Sequence, residues 1–182
     1  AVVSNESLLA VHSLIQGYAA RGDLSTAKSS CAIGAQAGIM KGGVKNMNRQ
    51  IVRDVLFLGG KSQPAERGDA AIARDLRDTL IANRERCAGL AANMIGERKR
   101  IIAFDCFGAP RVMLNPVIME KRGEYEAEES CLSLSGARKT TRYREIEVRY
   151  QDEKLNPHTE RFSGWIAQVI QHECDHLEGI LI

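Results

Sequence analysis

Gln171-His172-Glu173-Cys174-Asp175-His176-Leu177-Glu178-Gly179 decides how the rest of the chain is read. His172 and His176 with Glu173 between them form an H-E-x-x-H pattern. On a helix, positions i and i+4 share one face, so both imidazoles can point at one ion. Glu173 lies one residue off that face. It can take a proton from a water at the ion without being a ligand itself. The residues just upstream supply the helix. Ser163 is a candidate N-cap, and Trp165, Ile166, Val169, Ile170 and Leu177 form an apolar stripe at helical spacing. Gly179 follows where such a helix would end. The plainer alternative is a pair of surface histidines on an ordinary helix.

A catalytic site of this kind usually has three protein ligands and one open position. The only acid after His176 is Glu178, on the wrong face, so the third ligand must come from upstream. The best candidate is Cys131, within Glu129-Ser130-Cys131-Leu132-Ser133. A thiolate binds zinc or ferrous iron strongly. The stretch around it reads as a strand end or loop that can cross a helix face.

These segments resemble the three signatures of the peptide deformylases. Gln171 to Gly179 match Gln-His-Glu-x-Asp-His-Leu-x-Gly throughout, Asp175 and Leu177 included. Glu129, Cys131, Leu132 and Ser133 match Glu-Gly-Cys-Leu-Ser, with Ser130 in place of Gly. Gly89-Leu90-Ala91-Ala92 match part of Gly-x-Gly-x-Ala-Ala-x-Gln, with Cys87 where the first Gly would fall and Met94 where the Gln would fall. The resemblance covers roughly residues 50 to 182. It implies an α+β metallohydrolase that removes the formyl group from the N-terminal methionine of new polypeptides.

The length of 182 residues suits one domain with an appendage. The division expected is a helical N-terminal extension over 1–48 and a deformylase-like domain over 49–182. Leu8, Val11, Leu14, Ile15 and Tyr18 suggest an amphipathic helix capped by Asn5, and His12 reads as one of its partly buried residues. A net charge of +2 gives no case for nucleic-acid binding. Arg98-Lys99-Arg100 reads as a solvated loop. No apolar run is long enough for a transmembrane helix and no secretory signal is visible, so a cytoplasmic location is expected. Cys31, Cys87, Cys106, Cys131 and Cys174 lack the spacing of a disulfide framework and fit a reducing compartment better.

Within the second region, Leu56-Phe57-Leu58 reads as a short extended piece before Gly59-Gly60. Asp69 to Arg86 reads as a helix burying Ile72, Leu76, Leu80 and Ile81. Cys87 to Ile95 reads as a small-residue loop. Arg100 to Asp105, Val112 to Met119, Glu145 to Tyr150 and Thr159 to Phe162 read as strands, the second interrupted at Asn115-Pro116. The expectation is an α+β fold, with antiparallel or mixed sheets packed around the C-terminal helix.

The resemblance also assigns roles. Cys131, His172 and His176 hold the metal, Fe(II) in the cell, with zinc, nickel or cobalt accepted. Glu173 moves the proton, and the Leu132 N–H faces the developing oxyanion. Gln171 and Asp175 orient the site by hydrogen bonds from behind. Gly89, Ala88, Leu90, Met94, Trp165 and Val169 lie along the substrate, the last two and Ala88 and Leu90 around its methionine side chain. Trp165 reads equally well as plain core. Arg138 corresponds to a basic residue that fixes the peptide or the metal loop, or is a solvated turn arginine. The partner implied is the formylmethionyl end of peptides at the ribosome, with no membrane contact.

Met94 is the departure that matters. In the family a Gln amide at this place donates to the oxyanion, and methionine has no N–H to offer. Three outcomes stay open: Asn93 swings in, activity is reduced, or the substrate differs. Two other functional classes are an H-E-x-x-H endopeptidase and a non-catalytic homologue that binds formylated N-termini.

Overall fold

The computed structural model describes Val2–Val3 and residues 48–182. The helices expected before residue 48, with Asn5, His12 and Cys31, lie outside the described residues. In chain order the elements are β1 (Val2–Val3), α1 (Val55–Leu58), α2 (Ala70–Asn83), β2 (Gly89–Ala91), β3 (Ile101–Cys106), β4 (Ala109–Ser130), β5 (Ala137–Gln151), β6 (Pro157–Ser163) and α3 (Gly164–Leu177). The strands form one sheet in the order β2-β3-β4-β5-β6, and β1 adds to β4. Every paired strand runs antiparallel, so of the expected arrangements the purely antiparallel one is found.

β3 is the strand from which both cores are built. Ile101, Ile102, Ala103 and Phe104 are fully buried in succession, because helices cover both faces. Side chains alternate along a strand. Ile102, Phe104 and Cys106 therefore enter one cluster with Val148, Phe162, Ile166, Val169 and Ile170, beneath α3. Ile101 and Ala103 enter the other with Leu76, Leu80, Leu90 and Met94, beneath α2. Each large side chain buried in this way contributes about 1.5–3 kcal/mol.

β4 is far longer than the sequence suggests. Its first part pairs with β3 and the rest with β5, with register shifts between Leu114 and Val117 and between Ile118 and Glu120. The interruption expected at Asn115-Pro116 is a register shift within a continuous strand. Asn115 adopts φ 53°, and its side chain bonds both main-chain groups of Ala65. One strand thus runs from the centre of the sheet to the residue before Cys131.

Several local expectations change. Leu56-Phe57-Leu58 is helical rather than extended, because Asp54 caps α1 by accepting from the Leu56 and Phe57 N–H groups. α2 buries Ala73, Leu76, Thr79 and Leu80, while Ile81 is exposed. The segment read as a loop before Ile95 contains β2 and a 3-10 turn, Ala92–Ile95. Arg98-Lys99-Arg100 is engaged rather than merely solvated: Arg98 lies over Phe57, Lys99 pairs with Asp69 and Arg100 with Glu178. Among the described residues, Cys87, Cys131 and Cys174 are free thiols. Among the described residues, no helix is long and apolar enough to cross a membrane.

Candidate metal and hydrolase site

Ser163 is the N-cap of α3 by position, without a side-chain hydrogen bond. The helix carries His172 and His176 one turn apart, both 1% exposed. It ends in a full C-cap motif. The Ile180 N–H donates to the Asp175 carbonyl, the Gly179 N–H donates to that of His176, and Gly179 has φ 75°. A Cβ on Gly179 would sit 2.3 Å from the Gly59 carbonyl oxygen, so the residue after the histidines also has no room for a side chain.

β4 ends at Ser130, and the next residue delivers its sulfur to the helix. Cys131 Sγ lies 3.3 Å from His176 Nε2, and the two Nε2 atoms lie 3.2 Å apart. Cys131, His172 and His176 are all buried, and their donor atoms lie within 4.8 Å of one another. A tetrahedral ion with bonds of about 2.0–2.3 Å holds neighbouring donors about 3.3–3.6 Å apart. The residues present therefore fit a thiolate–imidazole metal site. Burial works against the Cys131 thiolate, but hydrogen bonds with His172 and His176 bring the thiol down to about 5. The Ser133 N–H also points at the sulfur, at 3.4 Å.

Behind the histidines lies a buried charge network. Glu129 Oε2 meets His172 Nδ1 at 2.7 Å, which directs Nε2 at the sulfur. Arg142 donates to both Glu129 oxygens at 2.8 Å and to Asp175 at 2.7 Å. Burial alone would raise the Glu129 carboxyl, yet hydrogen bonds with His172 and Arg142 hold it at about 2. Gln171 binds β5 instead: its Oε1 accepts from the Tyr143 N–H and its Nε2 donates to the Tyr143 carbonyl. Gln171 thus sets the seat of the helix, and Asp175 anchors the arginine.

Glu173 is fully buried, and β2 lies directly on it. A Cβ built on Gly89 would come within 2.7 Å of both Glu173 Oε1 and Val169 Cγ1. Ala88, Val169 and Trp165 meet in the cluster beneath α3, whereas Leu90 packs in the other cluster. Met94 is 1% exposed and shares that second cluster with Cys131. Asn93 is committed elsewhere: its Nδ2 donates to the His176 carbonyl at 2.8 Å and to that of Leu58 at 3.4 Å. Leu132 is half-buried, and Arg138 is exposed on β5, across from Glu129. Arg142, Gln168 and Tyr125 join the site without having been singled out in the sequence.

The sequence model of the family described as polypeptide deformylase matches residues 53–182. The chain belongs to the peptide deformylase family. Its catalytic activity is that of a metal-dependent hydrolase, and it removes formyl groups from the N-terminal formylmethionine of polypeptides. A peptide deformylase of Clostridium beijerinckii is 54% identical over 136 residues, which is 75% of this chain and 100% of that one. One from Pseudothermotoga lettingae is 41% identical over 141 residues, covering 72% and 81%. Among solved deformylase structures, that of Legionella pneumophila superposes with a TM-score of 0.67 at 32% identity, covering 73% of this chain and 82% of that one. The Thermotoga maritima deformylase gives 0.67 at 29% identity, covering 74% and 94%.

Proposed function

We propose that Cys131, His172 and His176 hold the catalytic metal of this deformylase and that Glu173 is its proton carrier. The observation that carries this is the convergence of one sulfur and two Nε2 atoms beside a fully buried carboxylate. When bound, the ion supplies Lewis-acid activation of water and of the formyl carbonyl. Glu173 accepts a proton from the attacking water as its oxygen bonds to the formyl carbon. As the C–N bond breaks, Glu173 returns that proton to the amine nitrogen, giving formate and a free N-terminus. The Leu132 N–H donates to the oxyanion. Gly89 admits the substrate main chain next to Glu173, and Ala88, Val169 and Trp165 surround the methionine side chain. Arg138, exposed near the loop, contacts the peptide further along.

β4 offers a place for that peptide. Val2–Val3 pairs antiparallel with Glu129 and Ser130, immediately before Cys131. The edge therefore accepts an extended main chain, as peptide recognition by strand addition requires. We take the resident metal to be Fe(II), with zinc, nickel or cobalt as substitutes, since thiolate and imidazole suit these ions. The setting proposed is the cytoplasm, on formylmethionyl chains at the ribosome.

The test is formate release from a formyl-Met peptide by protein loaded anaerobically with Fe(II) or Ni(II). Glu173→Ala should retain metal and lose about 10²- to 10⁴-fold in kcat. Turnover equal in wild type and Glu173→Ala would overturn the role of Glu173. Peptide binding without formate would indicate a recognition module, and cleavage of casein an endopeptidase.

A further inference from the structure

Gln168 is an amide in the middle of an otherwise apolar, buried stretch of α3, Ile166 to Ile170. It stands one turn before His172. Its Nε2 donates to Glu129 Oε1 at 2.9 Å, and its Oε1 accepts from the Tyr125 hydroxyl at 2.9 Å. Glu129 in turn meets His172 Nδ1 through its other oxygen. A carboxylate only accepts hydrogen bonds, so the Gln168 nitrogen must face Glu129 and its oxygen must face away. Tyr125 donates to that oxygen and fixes the amide in the one orientation that serves Glu129.

We propose that Gln168 and Tyr125 are positioning residues for the metal ligand His172, acting in series through Glu129. The inference rests on the metal-site reading above. Tyr125 and Arg142 are cross-strand partners on β4 and β5, yet they reach Glu129 by different routes. Arg142 grips the carboxylate from the sheet. Gln168 grips it from the same helix that carries His172, so the carboxylate and the imidazole keep one relative position even as helix and sheet shift. The Arg144 guanidinium lies 4.9 Å from the centre of the Tyr125 ring and holds the phenol from the solvent side. A hydrocarbon at position 168 would fill the same space and lose both bonds.

The experiment uses the full chain loaded with Co(II) under argon, following Co(II) loss to excess chelator and the cobalt–thiolate absorption. Loss of a group behind a metal-bound histidine typically weakens metal binding about 10- to 100-fold. Gln168→Leu is expected to release Co(II) about 10-fold or more faster than wild type. Tyr125→Phe, a milder change that keeps the ring, is expected to release it faster by a smaller factor. The double variant should release no faster than Gln168→Leu alone, because the phenol acts through the amide. A purely structural role would lower Tm and leave the release rate of folded protein unchanged, and that result overturns the proposal. Additive effects of the two substitutions overturn it as well. Wild-type protein that takes up no Co(II) would overturn the metal-site reading itself, whereas normal uptake with unchanged release in the variants sinks only the relay.

Discussion

Gly89 lies so close to Glu173 that a methyl group at position 89 would stand 2.7 Å from its Oε1. The conflict is with side chains only, since Gly89 is a strand residue without a left-handed φ. Gly89→Ala should therefore leave the backbone intact and push the Glu173 carboxylate aside. Misplacement of a catalytic group by about 1 Å can cost about 10²-fold. The expected outcome is a kcat lowered by that order with metal content unchanged. Steady-state kinetics and metal analysis of the same sample check it. A variant with wild-type kcat would show that the carboxylate works from another position.

Cys131 should behave unlike the free thiols Cys87 and Cys174. Burial pushes Cys87 up to about 11 and Cys174 up to about 12, while histidine hydrogen bonds bring Cys131 down to about 5. Metal-free protein at pH 7 therefore holds Cys131 as a thiolate and the other two as thiols. Iodoacetamide is expected to label Cys131 before Cys87 or Cys174, and restoring the metal should block that label. Mass mapping of the modified peptides decides it, and earlier labelling of Cys87 or Cys174 would contradict the assignment.

The H-E-x-x-H helix was legible because residues at apolar helical spacing carry two histidines four residues apart. Cys131 stands out in the sequence because its stretch resembles a deformylase signature and a thiolate suits zinc or ferrous iron, and its sulfur lies 3.3 Å from His176 Nε2. Arg142 was not, because its partners Glu129 and Asp175 are 13 and 33 residues away and meet it only across a hairpin and a helix. Gln168 was hidden for a related reason: a lone amide in an apolar stripe has no signature until Glu129 faces it. The length of β4 was missed beyond Met119, because Glu120 to Ser130 is mostly charged and becomes strand through its pairing with β5.

Acid should open the turn between β5 and β6. Asp152 accepts from the main-chain N–H groups of Lys154 and Asn156 and from the Asn156 side chain, and it meets His158. Its slight burial would raise its carboxyl, yet these hydrogen bonds, those of Asn156 first, lower it to about 2. A depressed carboxyl stabilises the fold above its unfolded value, 3.8, and that contribution is lost as pH falls through about 2. Asp152→Ala should lower Tm at pH 5 by more than it does at pH 2. Melting curves at the two values check the sign, and an equal difference at both would contradict it.

Met94 is where this chain departs from the deformylase pattern, and the structure closes one way around the loss. Asn93 cannot supply the missing donor without releasing the His176 carbonyl, which its Nδ2 holds at 2.8 Å. Methionine and glutamine are similar in length, so Met94→Gln restores an amide with little change in volume. The same substitution places a polar group in the cluster that holds Leu80, Leu90 and Ile101. Burying an incompletely bonded amide costs about 1–3 kcal/mol. An oxyanion donor contributes about 10²- to 10³-fold in kcat where it is well placed. The expected result is a lower Tm together with a kcat raised by about 10-fold or more. Formate release and thermal melting on the same preparation separate the two effects. A lower Tm with kcat unchanged would show that the oxyanion already has its full set of donors.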